Sequence, residues 1–186
     1  MAIHLWRKIS PRMKRILTIA GFFLLSILLT VAGTLTSLTQ EEANKISDEL
    51  ENTRKAVLEF GVLRGTALIF GNNLMLCLMF FIPLIGPFFG CYVLYSTGVA
   101  IAAESLGSGI HPLITFLLLF IFPFTWLEFL AYSTALSQSV WLSWRIIQHN
   151  GKRELSNTGI AISICAVILL TAAVIEMALI KTFSPV

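Results

Sequence analysis

Asn72, Asn73, Glu128 and Glu176 stand inside stretches that are otherwise apolar, and they are the side chains of this sequence best placed to do chemistry. A carboxylate in hydrocarbon costs about 2.5 kcal/mol or more, so an intramembrane Glu turns toward protein or water. For Glu128 three roles fit: a proton or ion relay, a contact to a substrate, or an interhelical hydrogen-bond lock with Asn73. The lock is the plainest of the three. Glu176 falls close to the end of the last apolar run, where the membrane interface is its plainest location. Glu104 lies in a polar turn and carries little weight.

Catalytic signatures are absent: there is no HExxH, no GxSxG and no P-loop. His4, His111 and His149 stand alone, near a terminus or in loops, and Asp48 lies outside the apolar runs, so no intramembrane aspartate pair can form. The chain is expected not to be an enzyme. Cys77, Cys91 and Cys165 lie in apolar runs without CxxC spacing or a His cluster, and read as small buried apolar residues. No metal, cofactor or catalytic residue is expected.

These side chains need a frame, and composition dictates which kind. Of the 186 residues 56% are hydrophobic and 12% charged, with a mean hydropathy of +0.85; soluble domains carry about 25% charged residues. Apolar runs of about 18 residues or more read as membrane spans. The expected fold is all-α: a polytopic transmembrane helix bundle of five to six spans, with Pro/Gly-broken helices and one external amphipathic helix. Residues 1–15 form a basic cytoplasmic N-terminus, 16–182 the transmembrane domain, and 183–186 a C-terminal tail.

The net charge of +3 comes mostly from Arg7, Lys8, Arg12, Lys14 and Arg15. Beside an apolar span such a cluster is a topology signal and not a nucleic-acid patch. The run 16–38 exceeds the roughly 7–15 residues of a signal-peptide core, so it reads as an uncleaved first span, with Gly21 and Gly33 allowing close packing. Residues 39–66 form an extracytoplasmic amphipathic segment. Asp48, Glu51, Lys55 and Glu59 recur on one face, and Val57, Phe60, Leu63, Ala67 and Phe70 on another. Glu51 and Lys55 can pair at i,i+4. The segment runs along the membrane surface into the second span, or is an ordinary exposed connecting helix. Glu51, Lys55 and Glu59 are its candidate partner contacts.

The tract 74–103 would span about 45 Å as one helix, more than a bilayer core. Pro83, Gly86 and Pro87 divide it into helices near 68–85 and 88–103. After a polar turn at 104–111, Pro123 divides the next tract into pieces near 112–123 and 125–146. Trp141 and Trp144 beside Arg145 read as an interfacial aromatic belt. A basic loop at 145–157 contains the turn Asn150–Gly151, and Ser156 or Asn157 caps a last span at 158–180. Gly86, Gly90, Gly98 and Ala102 can make a small-residue packing face, within one chain or between two copies.

The positive-inside rule puts the N-terminus and the 145–157 loop in the cytoplasm and the acidic segment outside. An odd number of crossings must then separate 66 from 145, yet the pieces there number four. Either one interrupted tract is re-entrant, or six full crossings exist and the weakly basic loop breaks the rule.

The order of features then matters: a basic N-terminus, a span, an external helical segment, IFGNN (69–73), a Pro/Gly-broken pair, YSTGVAIAAESLG, FPFTWLEF (122–129), a basic loop and a last span. This order resembles the stage II sporulation protein M family of integral membrane proteins, over about residues 10–182. By that resemblance Asn73 matches the family's Asn at the start of the second span, Gly98 the Gly of its Asn-Gly pair, and Pro123 and Glu128 its Pro-His-Gly-x-x-Glu element. Thr97 stands where the family has Asn, and Phe124 and Thr125 where it has His and Gly. The resemblance implies a non-enzymatic scaffold or assembly subunit of the cell membrane, with membrane or extracytoplasmic protein partners or a second copy of itself. The alternative from the residues alone is a transporter or permease component with a polar path at Glu128.

Overall fold

The computed structural model describes residues 9–59 and 61–183. His4, Arg7, Lys8, Phe60 and positions 184–186 lie outside them. The described residues form seven helices and no strand: α1 Pro11–Thr34, α2 Gln40–Glu59, α3 Gly61–Phe80, α4 Ile85–Ser108, α5 Pro112–Leu119, α6 Pro123–Ile147 and α7 Gly151–Phe183. Helices α1, α3, α4 and α7 are long and apolar enough to cross a membrane, and the bent pair α5–α6 raises the number to five. Large apolar side chains point outward, as in Leu63 (84% exposed), Phe88 (80%) and Val167 (66%), while Ser26, Thr30, Ser133 and Ser139 are buried. That inversion is what lipid as the outer solvent requires.

Small residues let the helices meet. A Cβ on Gly33 would collide with the Tyr95 carbonyl, and one on Gly98 with the Thr30 carbonyl. The α1–α4 crossing is therefore backbone against backbone. Gly86 and Gly90 lie against Phe80, Ser139 and Leu136, and Ala102 is 2% exposed. The small-residue face of α4 thus packs within the chain. Serine and threonine hydroxyls on these faces bond back into their own helix, as Ser26 Oγ does to the Phe22 carbonyl (2.8 Å) and Thr30 Oγ1 to that of Ser26 (3.0 Å).

Several boundaries differ from the sequence reading. Segment 39–66 is not one helix: α2 stops at Glu59, and Gly61, at φ +74°, opens α3. Leu63 and Ala67 thus belong to the outward face of α3 and not to α2. α2 begins with a reciprocal cap, unanticipated from the sequence: Glu42 N donates to Thr39 Oγ1 (3.3 Å), and Thr39 N and Oγ1 donate to Glu42 Oε2 (2.9 and 2.7 Å). Ala43 and Val57 are buried where α2 packs on α3 and α4.

The first break falls at residues 81–84, ahead of Gly86 and Pro87, with Leu84 at φ +66°. Two serines of α6 satisfy its backbone. Ser143 Oγ accepts from Leu84 N (2.9 Å), and Ser139 Oγ donates to the Ile82 carbonyl (2.7 Å). α4 runs past the expected turn to Ser108, so Glu104 is helical, and it stops at Gly109 with φ +68°. Its 24 residues make it a full-length span, which leaves the 8-residue α5 as the short piece. α5 and α6 meet at 88°. Thr125 Oγ1 donates to the Leu119 carbonyl and Trp126 Nε1 to that of Phe120, both at 2.8 Å, covering the freed end of α5. Finally, α7 starts at Gly151, ahead of the expected caps Ser156 and Asn157. The loop shrinks to a tight turn in which His149 has φ +59°.

Candidate functional site: two polar clusters

α6 is the central helix and packs on α1, α3, α4 and α7. It carries a polar residue at each of two depths, and each gathers a cluster.

The first cluster sits one helical stretch after Pro123, which occupies the first turn of α6. Asn73 Nδ2 of α3 donates to Glu128 Oε1 of α6 at 2.5 Å. Glu176 of α7 lies within electrostatic reach of Glu128, and both act on the buried Tyr132. The structure therefore brings together three of the intramembrane polar residues singled out from the sequence. Asn72 is exposed on the outer side of α3 and takes no part. Near this group the thiols of Cys77 and Cys165 are buried, and both donate to the Ala131 carbonyl (4.0 and 3.5 Å).

Gly98 and Thr97 are not beside Glu128. Gly98 makes the α1–α4 crossing, and Thr97 is exposed with its hydroxyl bonded to the Val93 carbonyl. Glu51, Lys55 and Glu59 are exposed on α2; Glu51 and Lys55 pair at 3.2 Å, with side chains 61% and 68% exposed. An ion pair so open contributes little stability.

The second cluster was not anticipated. Arg15 Nη2 of α1 donates to both carboxylate oxygens of Glu154 of α7 (2.7 and 2.8 Å), and Nη1 donates to Gln138 Oε1 of α6 (2.9 Å). Gln138 Nε2 donates to Glu154 Oε1 (2.7 Å) and Thr158 Oγ1 (3.0 Å). Thr18 Oγ1 accepts from Ser137 Oγ (2.9 Å) and Trp141 Nε1 (3.0 Å), and the Arg15 guanidinium lies 5.3 Å from the Trp141 ring centre. Trp141 is thus a bundle contact as well, while Trp144 is 57% exposed. Glu154 is 3% exposed. The only sequence signal for this group was Gln138 within an apolar tract. Arg15 reads there as one more terminal cation, and its partner lies 139 positions away.

Among the described residues no group of His, Cys, Asp and Glu has the makings of a metal site, and no buried side-chain nitrogen or oxygen lacks a hydrogen-bond partner. Comparison of the chain with family models, with curated proteins and with solved structures finds no match in any of the three.

Proposed function

We propose that the chain is a non-enzymatic scaffold or assembly subunit of a cell-membrane complex, of the kind the resemblance to the stage II sporulation protein M family implies. The observation that carries this reading is α2: a hydrophilic helix held to the bundle through Ala43 and Val57, with Asp48, Glu51, Lys55 and Glu59 left open to water. A charged helix fixed in orientation is suited to dock a partner protein, because little ordering entropy is lost on binding. The test is co-purification from membranes. Reversing charge with Glu51→Lys and Glu59→Lys should reduce partner recovery while the solubilised chain keeps its unfolding temperature. Undiminished recovery would contradict the reading.

The proposed topology has five crossings: α1, α3, α4, α6 and α7, with α5 re-entrant or interfacial and the N-terminus cytoplasmic. Supporting it, the Arg15–Glu154 pair joins the start of α1 to the start of α7, so both basic segments share a side.

A second reading, a transporter component with a path at Glu128, draws on the bent α5–α6 pair and the Asn73–Glu128 contact. Neither the cleft of ≈ 390 Å³ on the outer face of α3 nor that of ≈ 250 Å³ between α1, α6 and α7 is lined by Glu128. Full function in Glu128→Gln would remove this reading.

A further inference from the structure

The cleft of ≈ 250 Å³ beside the Arg15 cluster is amphipathic along its length. Its walls at the end of the bundle are Arg15, Gln138, Trp141 and Asn157, and one to two turns deeper they are Ile19, Ile160, Ala161 and Ile164, with Thr134 and Ser137 of α6, whose hydroxyls are bonded to the Leu130 carbonyl and to Thr18 Oγ1. The order follows from helix periodicity: Arg15 and Ile19 share a face of α1, and Asn157, Ile160, Ala161 and Ile164 share a face of α7. A polar mouth above an apolar trough matches one molecule type in particular, a phospholipid lying along the bundle with its phosphate at the mouth and an acyl chain against the isoleucines.

Charge selects the class of headgroup. Arg15 uses Nη2 on Glu154 and one hydrogen of Nη1 on Gln138, which leaves Nε–H and a second Nη1 hydrogen, and its side chain is 31% exposed. Arg12, Lys14, Arg145 and Lys152 lie on the flanking turns, whereas Glu154, already bound by Arg15, is the sole acid of the segments 9–20 and 145–157. We propose that this cleft is a specific site for one anionic phospholipid, held by the free guanidinium hydrogens of Arg15 with Trp141 at headgroup level. This site rests on the membrane reading but not on the scaffold role.

Native mass spectrometry of the detergent-solubilised full chain, titrated with phosphatidylglycerol, phosphatidylcholine or inorganic phosphate, tests it. One phosphatidylglycerol per chain should be retained, about tenfold over phosphatidylcholine, and inorganic phosphate should not displace it. Replacing Arg15 risks unfolding, so two other variants carry the test. Ile160→Trp and Ile164→Trp each fill the trough, from residues that are 59% and 52% exposed. Each should lower retention about tenfold at an unchanged unfolding temperature. Equal retention of the two lipids, displacement by inorganic phosphate, a second chain in place of lipid, or full retention in both variants would overturn the site. A failed membrane reading would look different: the chain would stay monodisperse without detergent.

Discussion

Glu128 and Glu154 are both carboxylates on bundle helices, yet the structure treats them in opposite ways. Glu154 is surrounded by donors: the Arg15 fork, the Gln138 amide and, at 3.4 Å, Asn157 Nδ2. Its charge is matched and its lone pairs are filled, which is the condition for a buried ion pair to hold. Glu128 has one neutral amide, Asn73, and another acid, Glu176, within electrostatic reach. The first arrangement clamps three helices at one end of the bundle. The second leaves an acidic side chain at depth with one neutral hydrogen-bond partner. Of the two, only Glu154 has an oppositely charged partner.

The largest effect should come from breaking the balanced cluster. Glu154→Ala strands Arg15 and is expected to destabilise the solubilised protein by about 2–3 kcal/mol, somewhat less than for a fully buried pair because the Arg15 side chain is 31% exposed. Thermal or denaturant unfolding in detergent measures it. The double variant Arg15→Met with Glu154→Leu should be less destabilised than either single one. If it is worse than both, the two residues do not act as a pair.

Packing gives the next effect and a control for the comparison. Gly98→Ala drives a Cβ into the Thr30 backbone and should destabilise by about 1–3 kcal/mol, whereas Gly71→Ala, with nothing within 4 Å, should leave the unfolding temperature essentially unchanged. Equal behaviour of the two would contradict the close α1–α4 crossing.

Asn73→Ala removes one interhelical hydrogen bond, an interaction that averages about 0.6 kcal/mol in membrane proteins. It should therefore shift unfolding far less than Glu154→Ala. A loss as large would show that the Glu128 cluster is as much a clamp as the other.

The smallest effect lies outside the membrane. Glu42, at the start of α2, has its pKa lowered by hydrogen bonds from the Thr39 backbone and then the Thr39 hydroxyl. A folded pKa below the unfolded one means stability that is present above the unfolded value and lost as pH falls through the folded value. Protection of the amides in the first turn of α2, measured against their intrinsic exchange rate at each pH, should thus fall as pH drops below the ordinary carboxylate range, and Glu42→Gln should abolish that pH dependence of protection. An unaltered profile in the variant would sever the link to this cap.

How much of this was visible in the sequence depends on the range of the interaction. Apolar runs and prolines are local signals, so the helices, the two breaks and the membrane character were readable. Asn73 and Glu128 were readable too, because a polar group in an apolar run stands out. Helix ends fared worse. Glu104–Ser108 looks like a turn by composition, but Ser105 is buried and bonded to the Ile101 carbonyl and to Thr115 Oγ1, and the helix continues. Ser156 and Asn157 look like caps, but α7 has begun by then and placed Glu154 opposite Arg15. Contacts between positions so far apart follow from tertiary packing, which no window of sequence contains.

The proposed topology requires the beginning of α1 and the 145–157 segment to share one side of a membrane. Single cysteines introduced as Ser10→Cys, Ser47→Cys, Gln148→Cys and Thr182→Cys, in a background with Cys77, Cys91 and Cys165 replaced by Ala, can be labelled in sealed vesicles with a membrane-impermeant maleimide. Labelling from one side at positions 10 and 148, and from the other at 47 and 182, is the predicted result. Labelling of 10 and 148 from opposite sides would contradict it, since Arg15 could not then reach Glu154.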